Sequence, residues 1–397
     1  MRLPLIPMII LLLVNVAIDY YIWRAAVNRC QSKWPSRLQF ISAIIIYAVV
    51  IFAIALPRRS GSDATLATVM WLLFGYMSVL FSKVIFVVFD WIASIPKIWH
   101  KHRIKPVSLI GGVIAIVIFL AMWWGALINR YNIDVKEVEV EIPDLPEAFD
   151  GFRIVQFSDF HVGTYGSDTR FTDKVVSRIN TLNPDVIVFT GDIVNRRSEE
   201  LKPFVESLSH LDSPNGVYSI LGNHDYGDYC DWPSEAAKRE NMRELYEMQS
   251  RMHWRLLLNE HEKIYLQNDS IVLIGVENVG DPPFTVYGSL PDSYPSLDDS
   301  TVKVLLTHNP AHWVMDIADN DSINIALTLS GHTHAMQIEV GGVSPAALRY
   351  PTWGGLYPDS TGRHKLYVNI GLGTVGLPMR IGATPEITVL TLRPAKK

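Results

Sequence analysis

Five short segments of the sequence place acid, amide or imidazole side chains directly after apolar runs. They read Ser158-Asp159-Phe160-His161, Gly191-Asp192, Gly222-Asn223-His224-Asp225, Thr307-His308-Asn309 and Gly331-His332-Thr333-His334. One such segment alone is usually a turn or a solvated loop. Five of them in this order, each beside a run that predicts a strand, indicate one convergent polar site.

These residue types define the chemistry that the site can perform. Carboxylate, amide oxygen and imidazole are ligands for hard and borderline divalent ions, and the lack of thiolates in these segments excludes a zinc-finger-like site. Two ions about 3.5–4 Å apart, joined by a carboxylate, can activate water and hold a phosphoryl group for in-line attack. A nearby histidine can then protonate the leaving group. The pattern therefore predicts phosphoryl chemistry with two divalent metal ions, with Mn, Fe, Zn and Co all open.

The elements that position these residues follow from the hydrophobic pattern. Residues 152–157 and 185–189 are apolar enough for buried strands, and residues 173–182 repeat apolar side chains at helical spacing. We expect further strands at residues 135–142, 217–221, 302–306, 323–329 and 366–370, and a helix over residues 230–259. Mixed strands and helices of this kind predict an α/β sandwich, with the site at the carboxyl ends of its strands.

The five segments together resemble the full motif set of the calcineurin-like metallophosphoesterase superfamily, over about residues 135 to 395. The resemblance implies a four-layer α/β/β/α sandwich. It also implies a first metal bound by Asp159, His161 and His334 and a second bound by Asn223, His308 and His332. Asp192 would bridge the two ions. His224 would protonate the leaving group or contact the phosphate, and Asp225 would orient His224.

A narrower resemblance points to the YkuE/YaeI-like bacterial branch of that superfamily. It rests on Leu145-Pro146 with Phe149-Asp150-Gly151, and on a C-terminal pattern from Gly371-Leu372-Gly373 through Arg380-Ile381-Gly382 to Pro385-Glu386. The branch contains exported or membrane-attached enzymes and has relatives that act on UDP-diacylglucosamine in lipid A synthesis. It usually has Gly-Gly after the last histidine, where this chain has Ala335-Met336, so we expect a different pocket wall.

Hydrophobicity divides the 397-residue chain into two parts. Charged residues make up only 19%, below the roughly 25% of soluble domains, and the apolar excess lies in the first third. Four apolar stretches there, residues 5–22, 40–56, 66–95 and 109–128, predict an all-α bundle of about four membrane spans. We therefore expect a transmembrane anchor domain over residues 1–130 and a metallophosphoesterase domain over residues 131–397.

Loop charges predict the orientation of these spans. Two loops are basic and free of acids: one contains Arg24, Arg29, Lys33 and Arg37, the other Lys97, Lys101, Arg103 and Lys105. Both should face the cytoplasm, so four crossings place the catalytic domain on the extracytoplasmic side of the cell (inner) membrane. Lys83, inside the third stretch, is either functional or snorkels to the interface, and we favour snorkelling.

Charge and cysteine content narrow the function classes. After residue 129 the chain has 23 basic and 37 acidic residues, a net charge of −14, which disfavours nucleic acid as substrate. Two cysteines, Cys30 and Cys230, cannot form a disulfide framework.

The leading hypothesis is hydrolysis of a phosphomonoester, phosphodiester or pyrophosphate by a membrane-anchored enzyme. Its expected partners are the lipid bilayer and a phosphate-containing substrate, with a lipid-linked phosphate as one option, and no protein partner is predicted. One alternative is a UDP-diacylglucosamine-type pyrophosphatase in lipid A synthesis. An alternative of another class is a non-enzymatic scaffold with a vestigial metal site.

Overall fold

The chain divides into two compact units in a computed structural model that describes residues 5–29, 31–57, 59–296 and 299–395. The first unit comprises Met1–Leu127 with Gly376–Met379. The second comprises Ile128–Val375 and Arg380–Lys397 and contains all five polar segments of the predicted site. Cys30 lies outside the described residues, whereas Cys230 is buried in the second unit.

The first unit is helical. Its helices are α1 (Leu5–Ala25), α2 (Trp34–Ala55), α3 (Asp63–Ser94) and α4 (Lys105–Leu127). Among the described residues, three segments are long and apolar enough to cross a membrane: Trp34–Ala55, Asp63–Trp99 and Lys105–Tyr131. Helix α1 coincides with the first predicted stretch, and its crossing stays a prediction.

Two acidic side chains are paired inside the helical unit. Asp19 of α1 forms an ion pair of 2.7 Å with Lys83 of α3, and both side chains are largely buried. Asp90 of α3 pairs with Arg103 and accepts a hydrogen bond of 2.7 Å from Ser108. Lys83 therefore has an anionic partner on a neighbouring helix, and its snorkelling to the interface stays a prediction.

The second unit contains twelve strands in two six-stranded sheets. In chain order they are β1 (Asp134–Ile142), β2 (Arg153–Phe157), β3 (Val186–Phe189), β4 (Val217–Ser219), β5 (Trp254–Leu256), β6 (Glu260–Leu266), β7 (Asp269–Gly275), β8 (Lys303–Leu306), β9 (Ile325–Ser330), β10 (Gly355–Pro358), β11 (Lys365–Val368) and β12 (Glu386–Pro394). The sheet orders are β1-β12-β2-β3-β4-β5 and β10-β11-β9-β8-β7-β6.

Both sheets have a parallel centre. Strands β2 to β5 run parallel in the first sheet, as do β7, β8, β9 and β11 in the second. The carboxyl ends of parallel strands meet at one edge of each sheet. The strands that precede the five polar segments, β2, β3, β4, β8 and β9, all belong to these parallel sets.

Apolar side chains pack the two sheets face to face. Ile154 and Val188 of the first sheet share a buried cluster with Leu273, Leu306 and Leu329 of the second. Helices α5 (Arg170–Asn180), α6 (Val205–Leu208) and α7 (Glu235–Arg251) cover the first sheet, and α8 (Leu290–Ser293) and α9 (Ala311–Asp316) cover the second. These four layers confirm the predicted α/β/β/α sandwich.

The predicted helix over residues 230–259 is wrong at both ends. Helix α7 begins after Ser234, whose side chain accepts a hydrogen bond from the backbone N–H of Ala237. It ends at Arg251, because His253 adopts a φ of 61° and the chain then enters β5 beside β4. The apolar residues Met252 and Trp254 are buried against the first sheet, which explains why they resemble a continuation of the helix.

Candidate active site

The structure brings all five predicted segments to one place, where the carboxyl ends of the two sheets meet. Asp159 and His161 follow β2, Asp192 follows β3, and Asn223 follows β4 in the first sheet. His308 follows β8, and His332 and His334 follow β9 in the second. Two groups within this set could hold a metal ion, and Asp159 belongs to both: Asp159 with His161 and His334, and Asp159 with Asp192 and His308.

The first group is centred on two facing histidines. His161 Nε2 lies 3.1 Å from His334 Nε2, and His334 Nε2 lies 3.2 Å from Asp159 Oδ1. All three side chains are buried. Two imidazole nitrogens and one carboxylate oxygen so close together form a donor set that suits a divalent ion.

Asp192 connects this group to the second. Its Oδ2 lies 3.6 Å from His161 Nε2 and 3.2 Å from His308 Nε2. His332 Nδ1 lies 3.3 Å from His308 Nε2 on the far side. One carboxylate oxygen therefore faces ligand atoms of both groups, which is the position that a bridging ligand requires.

Asn223 contributes an amide oxygen without a hydrogen-bond partner. Its Nδ2 donates to the hydroxyl oxygen of Tyr229 at 2.9 Å, which fixes the amide orientation. No donor among the described residues reaches the buried Oδ1. A buried carbonyl oxygen left without a partner costs about 1–3 kcal/mol, and a bound cation would remove that cost. This orphan oxygen fits the metal-binding role predicted for Asn223.

Backbone carbonyls orient two of the imidazoles. His161 Nδ1 lies 3.1 Å from the Val194 carbonyl oxygen, and His308 Nδ1 lies 2.8 Å from that of Thr190. A hydrogen bond donated by Nδ1 leaves the lone pair on Nε2, the nitrogen that faces the carboxylates. Both rings are therefore positioned as Nε2 ligands.

Burial and charge set the protonation of the site. Burial lowers the pKa of His332 to about 3, and burial together with His224 lowers the pKa of His161. Both rings are neutral at pH 7. Burial also opposes protonation of His308, but the Asp192 carboxylate outweighs it and raises the pKa of His308 to about 9. An ion bound by His308 must therefore displace a proton.

Five of the seven predicted ligands have a left-handed backbone. Their φ angles are between 47° and 76°, at Asp159, His161, Asp192, His332 and His334. Each non-glycine residue in this region costs of order 1–3 kcal/mol, so the surrounding packing must hold it there. Gly331 shows how tight that packing is, because a Cβ at this position would lie 2.2 Å from Asp159 Oδ2.

The role expected for Asp225 needs correction. Its carboxylate accepts hydrogen bonds from the backbone N–H groups of Asp192, Ile193, Val194 and Gly222, at 2.8–3.2 Å. It therefore braces the loop that carries Asp192 and does not orient His224. The backbone carbonyl of Asn195 has that task, since it lies 2.6 Å from His224 Nδ1.

Several side chains that contact the candidate ligands could not be predicted from the sequence. Tyr350 OH lies 3.0 Å from His332 Nε2, and the ring of Phe284 packs edge-on against His332. The buried guanidinium of Arg380 lies 3.3 Å from His334 Nδ1 and donates to three backbone carbonyls. Tyr229 packs beside His224 with ring centroids 4.3 Å apart. These side chains come from loops, where no periodic pattern marks them.

Fold and site together define an α/β sandwich with a candidate dimetal centre, and comparisons with known proteins agree. Residues 152–336 match the calcineurin-like phosphoesterase family, and residues 1–130 match the transmembrane domain of calcineurin-like phosphoesterases of the 4TM type. The chain belongs to the calcineurin-like metallophosphoesterases and is a membrane-associated, metal-dependent phosphoesterase.

Two relatives illustrate the similarity. A transmembrane protein with a metallophosphoesterase domain from Danio rerio is 30% identical over 323 residues, which cover 78% of this chain and 70% of that protein. The metallophosphoesterase YkuE of Bacillus subtilis is 33% identical over 273 residues, which cover 67% of this chain and 87% of YkuE. The first alignment is longer than residues 131–397 could supply, so it extends into the helical unit.

Proposed function

We propose that this protein hydrolyses a phosphate ester or anhydride at a dinuclear metal centre, on a substrate held at the membrane surface. Asp159, His161 and His334 hold one divalent ion, and Asn223, His308 and His332 hold the other. Asp192 bridges the ions. The observation that carries this proposal is the position of Asp192 Oδ2, within 3.6 Å and 3.2 Å of imidazole nitrogens from the two groups.

The chain's own residues then complete the site. Two bound metal ions would supply the positive charge that activates water and stabilises the phosphoryl group. His224 is neutral at pH 7, because burial lowers its pKa, and its Nδ1 is engaged by Asn195. Nε2 is therefore its free nitrogen. It can contact a phosphate oxygen or, once protonated with help from the nearby Asp192 carboxylate, donate a proton to a leaving group.

A lipid-linked phosphate is the substrate class that the anchor favours. Helices long and apolar enough to cross a membrane end immediately before the catalytic unit begins, so the chain tethers the catalytic unit to the bilayer. The net charge of −14 after residue 129 again disfavours nucleic acid. The scaffold alternative loses support, because all seven predicted ligands converge and the family is one of enzymes.

The side of the membrane decides between the two enzyme hypotheses. The two acid-free basic loops favour a catalytic domain outside the cytoplasm, at the cell membrane. A nucleotide-linked lipid such as UDP-diacylglucosamine would be an unusual substrate there. A catalytic domain in the cytoplasm would require that α4 does not cross or that the basic loop before α4 faces outside, and it would favour that substrate.

A substrate panel tests the proposal. The full chain in detergent, supplied with Mn²⁺ at neutral pH, would be assayed with phosphatidic acid, a polyprenyl phosphate, a nucleotide-linked lipid and p-nitrophenyl phosphate. We expect release of phosphate or nucleotide from at least one lipid, and no release by the matched variant Asp192→Asn. Equal activity of Asp192→Asn on every substrate would contradict the proposed centre.

A further inference from the structure

Apolar side chains are exposed on the segment that follows the last metal-ligand histidine. Leu348 is 93% exposed, Val340 70%, Val343 68% and Met336 52%. We call these four residues the apolar rim. Single exposed apolar residues are ordinary, but four within one short segment of a folded domain indicate a surface that contacts another apolar phase.

The apolar rim has a defined backbone. Val340 and Val343 pair with each other across Gly341 and Gly342, whose φ angles of 61° and 78° are those of a tight two-residue hairpin turn. Ser344 Oγ donates a hydrogen bond of 2.5 Å to the Ala335 carbonyl and fixes the base of the hairpin. The two valines are therefore presented by an ordered turn.

The apolar rim lies between two residues of the candidate site in the sequence, His334 and Tyr350. Met336 is two residues beyond His334, and Leu348 is two residues before Tyr350, whose hydroxyl contacts His332 Nε2. Both ends of the apolar rim are therefore within two residues of side chains of the candidate site.

Hydrogen bonds within the catalytic unit link the hairpin to the end of the last membrane helix. Asn129, two residues after α4, donates from Nδ2 to the Arg380 carbonyl at 3.1 Å. The next residue, Ile381, donates to the Gln337 carbonyl at 2.9 Å and accepts from Glu339 N–H at 2.8 Å. Two residues span at most about 7 Å, so this part of the catalytic unit stays close to the bilayer by covalent connection alone.

Two basic side chains belong to the part of the catalytic unit that begins just after α4. Lys174 Nζ donates to the Tyr131 carbonyl at 2.7 Å, four residues after α4. Arg178 lies one turn further along α5, and both side chains are exposed. Lys174 and the hairpin are thus both connected by hydrogen bonds to residues that directly follow α4, and cations together with apolar side chains complement the anionic headgroups and acyl chains of a membrane.

We propose that the apolar rim, together with Lys174 and Arg178, contacts the bilayer surface, so that the metal centre meets phosphate groups carried by membrane lipids. The substrate part of this inference rests on the proposed phosphoesterase function. The contact with the bilayer does not, because it depends only on the surface of the catalytic unit.

Spin-label depth measurements test the contact without any substrate. The full chain, with Cys30→Ser and Cys230→Ala, would be placed in nanodiscs of phosphatidylethanolamine and phosphatidylglycerol. A nitroxide at Leu348→Cys would be compared with one at Val314→Cys, a 52% exposed position on α9. We expect oxygen to relax the label at 348 more than a water-soluble nickel chelate does, and the reverse at 314.

Two results would overturn the inference. Equal nickel accessibility at 348 and 314 would mean that the apolar rim faces water. Shielding of 348 from both reagents would mean that protein covers it.

An activity ratio then tests the lipid substrate. The double variant Val340→Ser with Leu348→Ser should lower the ratio of phosphatidic acid hydrolysis in nanodiscs to p-nitrophenyl phosphate hydrolysis roughly tenfold, and Val314→Ser should not change it. An unchanged ratio in the double variant contradicts a role in lipid capture. If the wild type hydrolyses none of the four substrates of the panel, the proposed function fails, and the label depth still decides the membrane contact.

Discussion

His224 and Asp225 are adjacent in the sequence but serve different parts of the site. The Asp225 carboxylate accepts hydrogen bonds from four backbone N–H groups. In His224, Nδ1 is bound to a backbone carbonyl, so Nε2 is the ring nitrogen that can contact a substrate. This separation matters for mutagenesis. Changing Asp225 disturbs the loop that carries Asp192, so only changes at His224 report on the chemical step.

His224→Ala should retain its metal and lose turnover. If His224 protonates the leaving group, kcat should fall about 10²–10⁴-fold, because that is the usual contribution of a general acid. The loss should shrink for esters with acidic leaving groups, which depart without a proton. Turnover would be measured against a series of substituted phenyl phosphates. An equal loss across the series would instead assign His224 to phosphate positioning.

Tyr350→Phe should weaken one of the two metal sites. The change removes the hydroxyl 3.0 Å from His332 Nε2, and lost partners of this kind typically reduce metal affinity about 10–100-fold. Dialysis against a graded chelator should therefore strip one equivalent early, while the exposed-site control Tyr265→Phe behaves like the wild type. Identical retention by Tyr350→Phe and the control would show that Tyr350 does not position His332.

For single residues, the sequence predicts the candidate metal ligands better than the side chains that hold those ligands in place. The seven ligand-type residues could be predicted because each directly follows a strand. Tyr229, Tyr350 and Arg380 could not, because they lie 6, 18 and 46 residues from the side chains that they contact. Their positions depend on how the loops pack. Loop packing also explains why Asp225 binds backbone N–H groups, although its place next to His224 suggests that it orients that ring.

Among the elements, the close approach of β2 and β9 shapes the site. Gly331 directly follows β9, where a side chain would clash with Ser158 Oγ and Asp159 Oδ2. Gly331→Ala should push Asp159 away and lower metal affinity by roughly tenfold or more, with unchanged far-ultraviolet circular dichroism. Gly354→Ala is the control, since its methyl group would meet only Ile370 Cγ2, at 3.0 Å. Wild-type affinity in Gly331→Ala would contradict this account of the strand ends.

The elements also show where sequence patterns stop being informative. Strands β2, β3, β8 and β9 are buried and apolar, so their runs are distinctive. Strand β6 lies at a sheet edge and has one buried residue, Ile264, so it lacks an apolar run. Strand β5 is only three residues long and follows α7 after two residues. The pairing of β1 with β12 joins opposite ends of the catalytic unit, which no local pattern reveals.

For the whole molecule, the crossing of α4 decides which side of the membrane holds the active site, because the basic loop before α4 should face the cytoplasm. The crossing of α1 is a separate prediction, because among the described residues only the other three helical segments meet the length and apolarity for crossing. The ion pair between Asp19 of α1 and Lys83 of α3 supports a crossing, since each charge finds its partner within the helical unit.

Reporters that work on only one side of the membrane test this topology. Fusion after Lys105 should report the cytoplasm, and fusion after Lys397 should report the outside, because one span, α4, separates the second basic loop from the C-terminal domain. Two cytoplasmic reports would overturn the proposed orientation. They would also make a nucleotide-linked lipid the favoured substrate.

Metal content tests the central claim most directly. Elemental analysis of the purified full chain loaded with Mn²⁺ should give two equivalents per chain for the wild type and for the exposed-site control Asp168→Asn. Asp192→Asn should hold at most about one equivalent and lose nearly all turnover, because one neutral oxygen cannot hold two cations together. Two full equivalents with normal turnover in Asp192→Asn would contradict the two-metal account.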